Sequence, residues 1–272
     1  MSYPAWLAGI SLAFALLERA RPRYSAQRVL RRGVVRDLLY VVWNGHFLAV
    51  VLALAANPLA GVVDRLASDH LGMDLHRAVA AGWAPALQFG VGLVAMDFAQ
   101  WCIHNLLHRV PLLWRFHKVH HAIVELDWLG NLRFHWFEIV VYRTLQYLPL
   151  AFFGFSAEVR FALAVFNTAV GHFTHANLRA PIGPLGYVLN HPAMHAWHHV
   201  HPDAGPVNKN FGITLSVWDW LFGTAYVPHE PPARLGFEGI ETFPETFPGQ
   251  LLYPLPVEAK LRQLTERARS PQ

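Results

Sequence analysis

Residues Trp83–His121 read WAPALQFGVGLVAMDFAQWCIHNLLHRVPLLWRFHKVHH, and this stretch decides the fold class. Its first part, Trp83–Ile103, is long enough to cross a bilayer, which takes about 20 apolar residues. Two histidines four apart, His104 and His108, follow at once, and beyond Pro111 come His117, His120 and His121. At about 100° per residue, positions i, i+3 and i+4 fit within one arc of a helix, so each motif gathers its imidazoles on one face. Pro111 interrupts the run and leaves two helices that can face each other. A third motif, His195-Ala-Trp-His198-His199, repeats the HxxHH spacing.

The rest of the chain agrees with a membrane setting. Of 272 residues, 54% are hydrophobic and 15% charged, against about 25% charged in soluble domains. Disorder is excluded and an ordinary soluble globule is disfavoured. Further apolar runs lie at Tyr3–Leu17, Leu38–Leu59, Ile139–Phe155 and Phe161–Phe173, the last two forming a hairpin that turns at Gly154–Ser156. Tyr3–Leu17 lacks a basic leader and a small-residue cleavage site, so it reads as a first helix. The expectation is an all-α integral membrane helical bundle of about four spanning helices, with a cytoplasmic histidine-rich cap, built as one domain over residues 1–272.

Arg19, Arg21, Arg23, Arg28, Arg31, Arg32 and Arg36 fall between the first two apolar runs with no acid among them. Gly61–Gly82 mixes Arg65 and Arg77 with Asp64, Asp69 and Asp74. By the positive-inside rule the arginine loop is cytoplasmic, and the histidine motifs fall on that same side of a multi-pass protein. The net charge of +4 is then a topology signal and a contact with anionic headgroups, so no nucleic-acid partner is expected. After Asn177 the chain is punctuated by Pro and Gly. Residues 227–272 read as a C-terminal cytoplasmic tail in which Glu258–Arg269 has helical charge spacing.

Histidine occurs 17 times and cysteine once, at Cys102, so thiolate metal sites and intrachain disulfides are excluded. The eight motif histidines exceed the three or four ligands of one zinc site and suit two metals with open positions. Asp97 lies seven residues before His104 on the same helical stripe. A carboxylate inside an apolar run is costly, and Asp97 is expected to accept the second N–H of a ligand histidine. His175, one turn beyond His172 at the end of the last apolar run, is a further ligand candidate; His172 and His191 are left open. Imidazole suits iron, zinc and copper alike, so ligand type alone does not choose the metal. No HExxH supplies the general base of a zinc hydrolase.

Taken in order, Met96-Asp97-Phe98, His104 to Arg109, Leu113 to His121, Arg133-Phe134-His135 with Glu138, His175-Ala176-Asn177, His195 to His199, Asn210-Phe211-Gly212, and Trp218-Asp219 with Phe222-Gly223-Thr224 carry a resemblance. Over roughly residues 90–226 the chain resembles the fatty acid hydroxylase, or sterol desaturase, superfamily of membrane non-haem di-iron enzymes. Asn105 stands where an Arg is frequent in that family, and His191 where a small polar residue is usual. The resemblance implies two Fe ions held by His104, His108, His117, His120, His121, His195, His198 and His199, with His175 as a ninth ligand. Zinc can replace iron during purification. It also implies O2 as co-substrate and hydroxylation of a C–H bond in a lipid or sterol-like substrate, with desaturation as the alternative.

Asn210 is a candidate to hold a bound water near the metals, and with Asp97 it completes the expected catalytic residues. Neither a nucleotide-binding glycine motif nor a haem-attachment motif is present, so electrons come from an external donor of ferredoxin, cytochrome b5 or flavoprotein type. Arg109, Arg115 and Lys118 are its candidate docking charges. Arg133, His135 and Glu138 are expected to brace the site or contact a headgroup. A membrane metal-binding or metal-transport protein is the rival from another class. It would need ligands along several spanning helices, whereas here the motifs cluster at one depth. Cysteines placed at Ser25 and Ser216 are expected to label from one side of the membrane and a cysteine at Ser68 from the other. Labelling of Ser25 and Ser216 from opposite sides overturns this topology.

Overall fold

The computed structural model describes residues 2–71 and 79–255, and these are helical with no strand among them. Helix α1 runs over Tyr3–Ala20, α2 over Val34–Val42, α3 over Ala49–Leu71, α4 over Pro85–Arg109 and α5 over Pro111–His121. Then follow α6 (Trp136–Phe152), α7 (Ala157–His175), α8 (Pro192–His198), α9 (Val217–Leu221) and α10 (Phe247–Leu252). The helical runs Val34–Leu52 and Pro85–Arg109 are long and apolar enough to cross a membrane.

Proline sets the break between α4 and α5 as the sequence predicts. Val110, placed before Pro111, is driven to an extended conformation (φ −95°, ψ 113°), so α4 must end and α5 must begin afresh. The α6–α7 hairpin turns at Gly154, whose φ of 80° suits a residue without Cβ. Ser156 then caps α7 by accepting the Val159 N–H at 3.2 Å. The second apolar run departs from its expected bounds. A π-helical turn over Trp43–Leu48 joins α2 to α3, and α3 continues to Leu71, so much of the Gly61–Gly82 connection is helix. Residues 72–78 of that connection and Glu258–Arg269 lie outside the described residues.

The π-turn presents Asn44, whose Nδ2 donates to the Leu132 and Phe134 carbonyls at 2.8 Å each. This ties α2–α3 to a short 3₁₀ turn, Trp128–Leu132, which also packs on α7. Gly171 permits that approach, because a Cβ there would strike the Asn131 carboxamide. One end of the bundle is thereby covered. The C-termini of α4 and α7 and the N-terminus of α6 meet α5, α8 and the loops between residues 199 and 255.

The arginine loop is more than a membrane contact. Arg31 is buried and grips Asp127 with two hydrogen bonds of 2.6 Å, while its third nitrogen meets Asp37 at 2.8 Å. Asp37 in turn lies 3.4 Å from buried Arg133. The stretch expected as a tail is also packed as far as it is described. Phe237 and Phe243 join Tyr40 and Val119 in an apolar cluster, and the Leu251 carbonyl accepts from His135 Nε2 (2.9 Å) and Trp136 Nε1 (3.1 Å).

Removing one member of a buried ion cluster strands the others, at about 3–5 kcal/mol. Asp37→Ala is therefore expected to lower the melting temperature in detergent by many degrees. Arg32→Ala breaks only an exposed pair with Glu245, worth about 0–1 kcal/mol, and should melt almost as the parent does. Equal melting of the two variants would remove the cluster from the account of stability.

Candidate metal centre

Four helices deliver nine imidazoles to the covered end of the bundle. Helix α4 brings His104 and His108, α5 brings His117, His120 and His121, α7 ends on His175, and α8 carries His195 and His198 with His199 at its C-cap. All are buried except His108, which is partly exposed. They divide into two groups, within each of which the ligand nitrogens lie no more than 4.8 Å apart. One holds His104, His108, His117, His121 and His198; the other holds His120, His175, His195 and His199. Each HxxHH motif is split between them. Helix α5 gives its i and i+4 histidines to the first group and its i+3 histidine to the second, and α8 does the reverse.

Hydrogen bonds on the far side of the rings fix their tautomers. Carbonyl oxygens can only accept, so the Nδ1 atoms facing them carry the proton. His104 Nδ1 donates to the Phe211 carbonyl at 2.8 Å, and His175 Nδ1 to the Gly171 carbonyl at 2.8 Å. His198 Nδ1 donates to the Lys209 carbonyl at 2.9 Å and His120 Nδ1 to the Arg133 carbonyl at 3.2 Å. His117 Nδ1 donates to the Glu138 carboxylate at 2.8 Å. Burial also pushes the His120, His121, His195, His198 and His199 imidazoles well below the usual histidine range, so they are neutral.

Neutral rings protonated at Nδ1 leave Nε2 bare. Yet His104 Nε2 lies 3.1 Å from His117 Nε2, and His175 Nε2 lies 3.2 Å from His120 Nε2. Facing lone pairs at that distance repel unless a cation sits between them. Bonds of about 2.0–2.1 Å from one ion place neighbouring ligand nitrogens about 2.9–3.4 Å apart. The donor set therefore fits two metal ions with nitrogen ligands.

Two expected roles change. Asp97 reaches no histidine: its carboxylate accepts from the Thr214 and Leu215 N–H groups at 3.0 and 3.2 Å and from Trp218 Nε1 at 2.9 Å. It shares a helical stripe with His104, but seven residues rise about 10 Å along the axis, beyond the reach of a carboxylate. Its work is to anchor the loop that offers the Phe211 carbonyl to His104. Asn210 is likewise consumed by backbone. Its Nδ2 donates to the Met194 and Tyr226 carbonyls and its Oδ1 accepts from the Tyr226 N–H, so both donors and one acceptor position are held by the backbone. His172 stacks on Trp128 and bonds Asn131, and His191 precedes α8, both outside the two groups.

The carboxylate behind a ligand is Glu138, buried in the first turn of α6 and bonded to His117. The sequence marks it only as a brace. Its pairing with a residue 21 positions earlier becomes visible when α6 is placed against α5. Arg133 and His135 do act as braces, Arg133 toward Gln250 and Asp37, and His135 toward Leu251. A cleft of about 270 Å3 opens on the first histidine group beside His108, His121 and His198, with Lys118, Asn208 and Phe237 on its walls.

The profile of the fatty acid hydroxylase family matches residues 89–224, half of the chain. The chain belongs to that family. Among curated proteins it is 34% identical over 158 residues to the ornithine lipid hydroxylase OlsE of Rhizobium tropici, covering 58% of this chain and 47% of that one. It is 28% identical over 137 residues to the alkylglycerol monooxygenase of Homo sapiens, covering 50% and 30%. Over 146 residues it is 27% identical to the fatty acid hydroxylase vlmA of a Lecanicillium species, covering 48% and 40%. The matched stretch spans less than half the length of each of these relatives. No solved structure matches the chain.

Losing a carboxylate that orients a ligand histidine typically costs about 10–100-fold in metal affinity. Glu138→Gln should lose its metal to a chelator correspondingly sooner than the parent, whereas Asp97→Asn, which touches no ligand ring, should keep it. Metal analysis along a chelator titration decides, and the opposite ranking would restore Asp97 as the acceptor behind a ligand histidine.

Proposed function

We propose that the protein is a multi-pass membrane enzyme that hydroxylates a C–H bond of a lipid at a two-iron centre. Two compact sets of bare imidazole nitrogens, buried at the end of an apolar bundle, carry this reading. His104, His108, His117, His121 and His198 would hold one ion, and His120, His175, His195 and His199 the other. Bound there, iron supplies the one-electron chemistry that reduces dioxygen and removes hydrogen from an unactivated carbon. Of the two oxygen atoms, one enters the product as hydroxyl. The other leaves as water, with two electrons and two protons supplied from outside.

The chain's own residues prepare that reaction. Carbonyls of Arg133, Gly171, Lys209 and Phe211 hold protons at Nδ1 and leave Nε2 free to ligate. Glu138 bonds the back of the His117 ring at 2.8 Å and holds its orientation. Phe134 stacks on His120 with ring centroids 4.2 Å apart, and Phe211 lies edge-on to His104, which excludes water from both groups. The cleft at His108 is an approach for reactants, with Lys118 on its wall and Arg109 and Arg115 nearby in sequence as docking charges for an acidic electron carrier. The lipid hydroxylase and monooxygenase relatives support an acyl or ether lipid as substrate.

Protein purified without air and loaded with ferrous iron should hold two irons per chain, one for each histidine group. His120→Ala and His199→Ala should lose iron and turnover together, while His229→Ala, exposed and outside both groups, should keep both. Isotopically labelled dioxygen should place one labelled atom in the lipid product. A product with a new double bond and no label would replace hydroxylation by desaturation. Normal turnover in the His120 and His199 variants would end the reading.

A further inference from the structure

The loops after α7 carry an apolar surface that stays exposed among the described residues. Residues 182–189 hold a 3₁₀ turn, Gly183–Tyr187, and α9 opens the stretch 217–228. Leu185, Tyr187, Val188, Trp220, Leu221 and Phe222 are all exposed, Leu221 by 67%. The two pieces form one surface: the Ser216 N–H donates to the Val188 carbonyl at 2.9 Å, and the Tyr187 and Trp220 ring centroids lie 4.8 Å apart. Asp219 is the one charged residue in either stretch. It is fully buried and accepts from the Phe211 and Gly212 N–H groups, Trp101 Nε1 and the Thr224 hydroxyl. The exposed face is therefore uncharged, and a contiguous apolar surface of this kind marks an interaction site.

Helix α4 fixes the height of that surface. Residues 85–103 of α4 rise about 28 Å, close to a hydrocarbon thickness of about 30 Å. Within that length Phe98 packs on Trp218 and Trp101 stacks on Phe222, each pair with ring centroids 4.8 Å apart. Asp97 holds the Thr214 and Leu215 N–H groups and Trp218 Nε1. By axial rise Asp97 lies about 9 Å and Trp101 about 3 Å inward of residue 103. Phe98, itself exposed, joins Phe222 to the apolar face of α4 that Val91 and Val94 extend. Irregular backbone enters hydrocarbon only where its polar groups are satisfied. Here the Val188 and Leu189 N–H groups donate to the Leu185 carbonyl, the Phe222 N–H to the Trp218 carbonyl and the Thr224 N–H to the Asp219 carbonyl. The Gly186 carbonyl accepts from Ser216 Oγ and Trp220 Nε1. A cation stands at the edge: Lys209 Nζ lies 3.4 Å from the Gly223 carbonyl, placed to meet a headgroup phosphate.

We propose that α9 and the 183–189 turn are immersed in the phospholipid leaflet on the side of the metal centre, with Leu185, Leu221 and Phe222 among the acyl chains. The immersion is shallow, about 5–10 Å, as for other interfacial elements. This inference rests on the membrane reading of α4 given above. It moves into lipid a piece of what the sequence reads as a cytoplasmic cap.

The test is fluorescence quenching of the full-length, metal-loaded protein in phosphatidylcholine nanodiscs. In a Cys102→Ser background, single cysteines at Leu221 and Leu185 carry the environment-sensitive fluorophore NBD. A cysteine at Val94, exposed on α4, reports the span, and one at exposed Glu230 reports water. Bound metal equal to the parent's shows that each labelled variant is intact. Bromine on the acyl chains should lower emission about twofold at Leu221, Leu185 and Val94 and leave Glu230 unchanged, and bromine near the glycerol end should quench Leu221 and Leu185 more than bromine near the tail end. Val94, near mid-depth, should show the reverse order. Quenching at Val94 without quenching at Leu221 or at Leu185 overturns the proposal and leaves the membrane reading standing. Emission shifted to the blue at those two sites but insensitive to bromine overturns it in favour of a protein partner, such as a second copy of the chain. No quenching at Val94 removes the span itself, and the proposal with it.

Discussion

Nitrogen lone pairs forced to face one another are the constraint on which the cap depends. Imidazoles of α4, α5, α7 and α8 converge with Nε2 atoms 3.0–3.2 Å apart, and four of the rings, His104, His120, His175 and His198, hold their proton on Nδ1 against a backbone carbonyl. No packing of neutral side chains favours that arrangement. It suits a ligand set, and on the proposed two-ion reading metal affinity and folding of the cap would be the same free energy seen twice. Everything around the site can be understood as supplying acceptors at the right places. The Asp97 and Asp219 carboxylates hold the 211–224 loop so that the Phe211 carbonyl meets His104, Asp219 by accepting the Phe211 and Gly212 N–H groups at 2.9 and 2.8 Å.

Much of this was legible in the sequence, because proline, glycine and helical spacing act locally. Pro111 marks the end of α4, Gly154 the hairpin, and the three motifs the histidines that gather at one end of the bundle. What escaped is long-range. The spacing rule puts His117, His120 and His121 on one face, and it is silent on how that face divides between two ions. Backbone carbonyls serve as acceptors for four ligand rings, and a carbonyl is present at every residue, so it leaves no mark in composition. Asp97 was assigned by angle without regard to axial rise. Arg31 was counted as surface charge because its partner, Asp127, is 96 residues away.

The buried ion cluster ties the helical bundle to the cap that carries the histidines. Arg31 comes from the α1–α2 loop, Asp37 from α2, Asp127 from the turn before α6, and Arg133 from that turn's far side. Arg133 also offers its carbonyl to His120. One electrostatic knot thus joins the first third of the chain, which lies outside the family match, to a ligand of the centre. The 227–255 segment closes over it through Gln250, whose side chain meets both Arg133 and Tyr40.

The crosswise sharing of α5 and α8 has a thermodynamic effect of its own. Neither helix can settle for one ion without positioning ligands for the other, since adjacent residues on one rigid backbone serve different partners. On the proposed two-ion reading, the first ion to enter would order the second site. Occupancy on that reading would be cooperative: a population starved of metal would divide into empty and doubly loaded chains and hold few with a single ion.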